Sequence, residues 1–268
     1  MDQASKDNEG LVRSLLTPQT PVDLQQAMIQ KLGEHRYEFT PTLMLASWSA
    51  YTPTVRASVL NLLAARPEWM TILIDRMESG SVSTAELDAP TRQRLLATRD
   101  ESLKSRLQKL FAADGSSDRR KVIELLQSTL KLTGDSTRGE AVFRKRCATC
   151  HRQNGFGAEV GPNLASLTNR TPETLLTAIL DPSAAVEAKY LNFVAVTTSG
   201  RSITGILTTE TASSLTFVAA EGKTETLLRT DIEELKSTGK SLMPEGLEKD
   251  VTPQEIADVI EFVRGLKQ

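Results

Sequence analysis

The pentapeptide Cys147-Ala148-Thr149-Cys150-His151 constrains this chain more than any other feature of its sequence. The chain has 268 residues but only two cysteines and two histidines, and three of these four residues lie within the five positions. Two thiols three residues apart, followed at once by an imidazole, suit only a few chemistries. Because each chemistry requires a different setting, the surrounding sequence discriminates between them.

Three chemistries fit the pentapeptide. In covalent haem attachment each thiol adds to one porphyrin vinyl group, and His151 is then placed to bind the iron. A redox dithiol normally follows a strand, whereas TRGEAVFRKR before Cys147 predicts a helix. A zinc site would need adjacent Cys150 and His151 on one ion and a fourth ligand from His35. A chance match would leave two thiols without a task, so the pattern favours haem attachment.

The sixth iron position decides between electron transfer and ligand binding or peroxidase chemistry. Met243 lies in a loop-like stretch, SLMPEGL, beside Pro244, where a methionine can be held rigidly, and we predict it as the sixth ligand. His35 and an open position are the alternatives. The methionines within amphipathic helical segments are predicted core residues instead; they are Met28, Met44, Met70 and Met77.

A glycine-rich loop, QNGFGAEVGPNL, follows the pentapeptide. A ligating imidazole needs an acceptor for its second nitrogen. Pro162 can offer its carbonyl there without requiring a partner for its own nitrogen.

The chain divides into two parts by hydrophobic period. Up to residue 132 the pattern predicts helices separated by short breaks. Thr52-Pro53 opens one helix, and Pro67 marks a break before the next. TPVDLQQAMIQKL, TPTVRASVLNLLA and DESLKSRLQKLFA share one plan, which indicates a HEAT-like α-solenoid over 1–132. An irregular helical bundle is the alternative.

The second part, 133–268, contains helices and a segment in which apolar and polar residues alternate. Four short β-rich runs lie between residues 190 and 230, with turns at Ser199-Gly200 and Glu221-Gly222. They predict a small antiparallel β-domain inserted at about 189–232. Thr171-Pro172 begins one helix, and the final helix begins with a capping box from Thr252 to Glu255. The predicted fold class is therefore mainly α, with this β insertion.

These motifs together resemble the class I cytochrome c family. Gly139 and Phe143 before the pentapeptide, then GPNL, a Met-Pro loop and a last helix with Phe262 match the pattern of that family. The resemblance implies that the first and last helices cross near their glycine and aromatic positions. It also implies thioether bonds at Cys147 and Cys150, axial ligation by His151 and Met243, and a hydrogen bond to the Pro162 carbonyl. We therefore expect one covalently attached haem c.

The resemblance extends to the C-terminal haem-binding domain of large planctomycete proteins. RGEAVFRKRCATCH, VGPNLASL, AILDPSAAV, SGRSITGILTTETASSLTF and SLMPEGL carry it. It implies a helical-repeat region before the domain and a dehydrogenase-like β-propeller further upstream. The chain departs from ordinary cytochromes in separating His151 and Met243 by 92 residues, which the β insertion explains.

Composition limits the possible partners. The net charge is −2, and no long run of like charges occurs, so we expect no nucleic-acid partner. No apolar stretch approaches the length that crosses a bilayer. The polar start, MDQASKDNEG, is unlike a signal peptide, so either a leader has been removed or this is a piece of a longer protein.

The function expected from these features is single-electron transfer rather than enzymatic catalysis by this chain. The expected partner is a redox protein or an upstream dehydrogenase domain. Because haem attachment at C-x-x-C-H is completed outside the cytoplasm, a periplasmic or otherwise exported location follows. A peroxidase or a haem-based ligand sensor, each with an open sixth position, is the alternative.

Overall fold

Helices make up most of the fold, and a small antiparallel sheet is inserted before the last helix. The mainly α fold with a β insertion is thus confirmed at this coarse level. The computed structural model describes residues 10–13, 15–17, 20–35, 37–48, 51–112 and 117–267.

The helices of the N-terminal part begin where local capping residues predict. The Thr52 side chain accepts a hydrogen bond from the Val55 amide, and Pro53 occupies the first helical turn. The helix after Pro67 also begins as predicted. In the described residues this part contains α1 (Val22–His35), α2 (Thr40–Ala46), α3 (Pro53–Ala64), α4 (Pro67–Glu78), α5 (Ala89–Leu96) and α6 (Glu101–Ala112).

These six helices pack both between neighbours, as α3 on α4 and α5 on α6, and between alternate helices. Helices α1 and α3 pack together, as do α3 and α5, while α2 packs on α4 and α4 on α6. The predicted core methionines Met44, Met70 and Met77 are buried among leucine and isoleucine side chains, and Met28 packs against them. Contacts between alternate helices agree with a stacked repeat. The assignment of this repeat to the HEAT type stays a prediction.

The C-terminal part is built on two crossing helices, α8 (Ser136–Arg146) and α10 (Pro253–Arg264). A side chain at Gly139 would collide with the backbone carbonyl of Asp258, so only glycine permits this close crossing. The rings of Phe143 and Phe262 lie 5.3 Å apart beside it. The predicted crossing near the glycine and aromatic positions is therefore present.

Two further helices complete this second core. They are α7 (Ser117–Leu126) and α9 (Pro172–Leu180), and Thr171 caps α9 as predicted. Val122, Ile123 and Leu126 of α7 pack against the cluster formed by α8, α9 and α10. The C-terminal core therefore starts with α7, ahead of the domain boundary predicted at residue 132.

The inserted sheet has five strands in the order β4-β3-β2-β1-β5, with all neighbours antiparallel. The predicted hairpin turns at Gly200 and at Glu221-Gly222 are present. The sequence predicted four strands ending at residue 232, and the fifth strand extends the sheet beyond that limit. The strands are β1 (Leu191–Thr197), β2 (Ser202–Glu210), β3 (Ser214–Val218), β4 (Thr224–Leu228) and β5 (Ile232–Ser241).

The sheet also contacts the N-terminal helices. Ser237 of β5 donates a hydrogen bond of 2.7 Å from Oγ to the Ala85 carbonyl. Glu210 at the end of β2 accepts a bond of 3.2 Å from the backbone amide of Thr54 in α3. The segment before β1 adds a bond of 2.9 Å from the Ala89 amide to the Val186 carbonyl. The insertion therefore joins the two parts of the chain.

Candidate functional site

The cysteine pair lies on a turn that directly follows helix α8. The Cys147 amide donates to the Phe143 carbonyl at 2.8 Å, which closes the helix. The amides of Cys150 and His151 both bond back to the Cys147 carbonyl, at 3.0 and 2.9 Å. A preceding helix, rather than a strand, differs from the setting of a redox dithiol. The turn presents two thiols and one imidazole within a single bend of the chain.

The glycine-rich loop folds back onto this turn through backbone hydrogen bonds. The Ala158 amide donates to the Ala148 carbonyl at 2.9 Å. The amides of Val160 and Gly161 both donate to the Cys150 carbonyl, at 3.0 and 2.7 Å. These bonds bring Gly161 and Pro162 beside the His151 ring, although the sequence separates them from it by ten residues or more.

His151 is buried, and its ring is held from one side. Nδ1 lies 3.1 Å from the Pro162 carbonyl, and since a carbonyl can only accept, Nδ1 carries the proton. A Cβ at position 161 would collide with the imidazole, so glycine there leaves room for the ring. Burial lowers the pKa of His151. Burial therefore favours the neutral ring, in which Nε2 keeps a lone pair that can bind a metal ion.

The two thiols are neutral and unpaired with each other. Burial raises the pKa of Cys147 to about 11 and also raises the pKa of Cys150. Both residues are free cysteines. A redox dithiol requires a nucleophile whose pKa is lowered, so these surroundings speak against that chemistry.

The sheet and the last loop complete the apolar surroundings of Cys150. Cys150 packs against a cluster of Val160, Ile206 of β2 and Val218 of β3, and Leu242 packs against the same cluster. The backbone amide of Glu221 donates to the Thr149 carbonyl at 2.9 Å, which ties the β3–β4 turn to the pentapeptide. Sequence reasoning missed the contacts from the sheet and from the last loop, because residues more than fifty positions away supply them and no local pattern marks them.

Met243 lies in the loop that follows β5, directly after Leu242. Its side chain is half-buried, and its amide donates to Ser241 Oγ at 3.1 Å. The structure thus brings Cys147, Cys150, His151 and Pro162 together directly. Leu242, which precedes Met243, packs against the same apolar cluster as Cys150.

The alternative zinc set is not assembled in the described part of the chain. His35 stacks on Tyr37, with ring centroids 5.6 Å apart, at the end of helix α1. Among the residues that the structure describes, no three His, Cys, Asp or Glu side chains group as a metal site.

The residues that are present fit a covalently attached haem. Two neutral thiols on one bend suit two thioether bonds, and His151 offers Nε2 while the Pro162 carbonyl holds Nδ1. The chain has no third cysteine, so one haem is consistent with its composition. Leu164, Leu167 and Cys147 belong to the same hydrophobic cluster, which gives the site an apolar wall.

Comparison with known protein families agrees with this geometry. The family model for cytochrome c matches residues 136–201, which run from helix α8 into the first hairpin of the sheet. Met243 and helix α10 lie beyond the matched residues. None of the described helices is both long and apolar enough to cross a membrane. The match at residues 136–201 supports a cytochrome c domain after the N-terminal helices, and with it a haem-based electron-transfer module.

Proposed function

We propose that this chain is a monohaem cytochrome c module for single-electron transfer. In this proposal Cys147 and Cys150 would attach the haem, and His151 and Met243 would bind its iron. When bound, the haem supplies an iron that alternates between the ferrous and ferric states. The protein contributes attachment, axial ligation and an apolar surrounding, and its side chains form or break no substrate bond.

The contact between His151 and Pro162 is the observation that carries the proposal. Because Nδ1 is held by a carbonyl, the tautomer that exposes the Nε2 lone pair is selected. The carbonyl also sets the plane of the ring and raises its basicity toward iron. The neighbouring thiols are neutral and lie on one bend, as attachment to a single porphyrin requires.

Met243 is the proposed sixth ligand because of its chemistry and its place. A thioether raises the reduction potential and closes the iron to other ligands, which suits electron transfer. Its neighbour Leu242 packs in the cluster of Cys150. The other described methionines, Met28, Met44, Met70 and Met77, pack in the core of the N-terminal helices.

The wider setting is also proposed. The chain resembles the C-terminal haem-binding domain of large planctomycete proteins, with a HEAT-like region in front of it. We propose export to the periplasm or a comparable compartment, and electron uptake from a redox protein or an upstream dehydrogenase domain. The hydrogen bonds between sheet and helices support a role for the helices in presenting the cytochrome to its donor.

Optical spectra of oxidised and reduced protein, produced with haem attached, test the proposal. We expect the weak long-wavelength band of methionine-ligated ferric haem, and we expect Met243→Ala to abolish it. Met28→Ala is the matched control, because Met28 packs beside the helical core. High-spin features in the unaltered protein would instead indicate an open iron position and favour a peroxidase or a ligand sensor.

A further inference from the structure

The loop between β5 and α10, residues 242–252, carries Met243 but has little regular structure of its own. A short 3₁₀ turn at Leu247–Lys249 is its one helical element among the described residues. The Lys249 amide bonds to the Gly246 carbonyl at 3.0 Å within that turn. A loop of this kind needs side chains from other elements to hold it in one position.

Arg119 of helix α7 supplies such a contact. Its Nη1 and Nη2 each donate to one carboxylate oxygen of Glu248 at 2.9 Å, which makes a bidentate pair. Its Nε also donates to the Leu180 carbonyl at 2.7 Å, and Nη2 contacts the same carbonyl. Both charged side chains are only 13% exposed. One guanidinium therefore ties α7, the end of α9 and the loop together.

The chemistry of this contact requires arginine. The last carbonyls of a helix lack partners within the helix, and Leu180 is the final residue of α9. A planar guanidinium can satisfy that carbonyl and a carboxylate at once, whereas a lysine ammonium is a point charge without the fork. The pairing lowers the pKa of Glu248, which agrees with a persistent ion pair.

A second anchor lies near the other end of the loop. Ser183, just beyond α9, accepts a hydrogen bond from the Ser241 amide at 3.2 Å. Its hydroxyl donates to Glu245 at 3.4 Å, and Lys240 pairs with the same carboxylate at 3.3 Å. Met243 thus lies between two segments that are both fastened to the end of α9.

We propose that Arg119 is a positioning residue for the sixth iron ligand, because it fixes the loop that presents Met243 through Glu248 and Leu180. This inference rests on the proposed ligation by Met243. It assigns helix α7 to the haem site, although its residues lie ahead of the matched cytochrome c segment.

Hydrogen exchange of the full-length, haem-loaded protein tests the contact without any redox assay. We expect Arg119→Lys and Glu248→Gln each to accelerate exchange of the amides of residues 245–250 by about tenfold, because a charged hydrogen-bonding pair is lost. In the optical spectrum, the long-wavelength band should disappear at a lower temperature in both variants.

Arg138→Lys is the matched control. Arg138 makes a comparable bidentate contact with Asp258 in the same core, but at the crossing of α8 and α10. It should lower overall stability without selectively accelerating exchange in the loop. If Arg138→Lys changes the loop and the band as Arg119→Lys does, general destabilisation explains the effect and the inference fails.

Two further outcomes separate this inference from the proposed function. A band that is present and unchanged in both Arg119→Lys and Glu248→Gln would overturn the role of Arg119 alone. A band that is absent from the unaltered protein would overturn ligation by Met243, and the role of Arg119 with it.

Discussion

Asp258 is a buried carboxylate at the point where helices α8 and α10 cross. Its side chain is 3% exposed and accepts two hydrogen bonds of 2.8 Å from the Arg138 guanidinium. The Asp135 amide and the Gln254 side chain donate two more, at 2.8 and 3.0 Å. These donors favour the charged form, and the bonds from Arg138 contribute most to lowering the pKa of Asp258.

This lowered pKa predicts a specific pH dependence of stability. The folded state binds the Asp258 proton more weakly than the unfolded state does. The contribution of ionised Asp258 to the free energy of unfolding is therefore complete above the unfolded pKa of about 4. It is lost as the pH falls through the folded pKa. We expect Asp258→Asn to lower the free energy of unfolding by about 2 kcal/mol at pH 7 and by less at pH 3. Denaturant unfolding at both pH values measures the difference.

An exposed carboxylate provides the control for this pH effect. Asp23 lies on the solvent side of helix α1. Asp23→Asn should change the free energy of unfolding by no more than about 0.5 kcal/mol at either pH. If Asp258→Asn lowered the free energy of unfolding equally at pH 7 and pH 3, the prediction would be contradicted, since the contribution of Asp258 would not depend on its ionisation.

Gly161 makes a second residue-level prediction, at the haem site. A methyl group at this position would meet the His151 ring, lying 2.8 Å from Nδ1. We expect Gly161→Ala to displace the imidazole from the Pro162 carbonyl and to lower the fraction of protein that carries covalently attached haem. Mass spectrometry of intact protein measures that fraction directly.

Gly155→Ala is the matched control in the same loop. A Cβ at Gly155 would meet open space, although its φ of 79° makes any side chain strained there. It therefore reports the effect of loop strain without contact to His151. Equal haem content in Gly161→Ala and the unaltered protein would show that the ring has room to move.

At the scale of elements, the inserted sheet is joined to the N-terminal helices at a position that requires glycine. Gly239 in β5 has a φ of 68°, and a Cβ there would lie 2.8 Å from the Cα of Ala85. The neighbouring Ser237 bonds to the carbonyl of the same alanine. This close approach leaves no space for a larger residue.

We expect Gly239→Ala to weaken the contact between the sheet and the helices. Gly200→Ala is the matched control, because Gly200 also has a positive φ, of 80°, but has open space around it. Backbone strain should be similar in the two variants, while only Gly239→Ala forces Ala85 away, at a further cost of about 1–3 kcal/mol. Hydrogen exchange at residues 84–86 and thermal unfolding distinguish them, and identical behaviour would contradict the prediction.

Elements with local signals were predictable from the sequence, and elements defined by distant contacts were not. The starts of α3, α9 and α10 depend on capping threonines followed by proline, which act within one turn. Strand β5 was missed because its sequence, IEELKSTGKS, lacks apolar alternation. A polar strand beside the helices needs no continuous apolar face, so it carries little pattern to detect.

The site residues also fall into those marked by a local motif and those defined by a distant contact. The pentapeptide and GPNL are contiguous motifs whose chemistry follows from residue type, so Cys147, Cys150, His151 and Pro162 could be named from the sequence alone. Arg119 could not, because an arginine on an amphipathic helix looks like an ordinary exposed residue. Its role depends on Glu248, which lies 129 positions away.

At the scale of the whole molecule, helix α7 determines where the chain can be divided. Its residues Val122, Ile123 and Leu126 pack on the cytochrome c core, and Arg119 joins that core to the last loop. A cut at the sequence-based boundary of residue 132 would remove these contacts. The apolar surface left exposed on α9 and α10 would then destabilise the remaining domain.

This packing predicts a difference between two shortened chains. A chain of residues 113–268 retains α7 and should attach haem and unfold in a single cooperative transition. A chain of residues 133–268 lacks α7 and should melt at a clearly lower temperature and lose the long-wavelength band, because Glu248 no longer has its partner. Thermal unfolding followed in the haem absorption compares the two. Equal melting temperatures would mean that α7 contributes no stability to the cytochrome c core, and they would support the domain boundary predicted at residue 132.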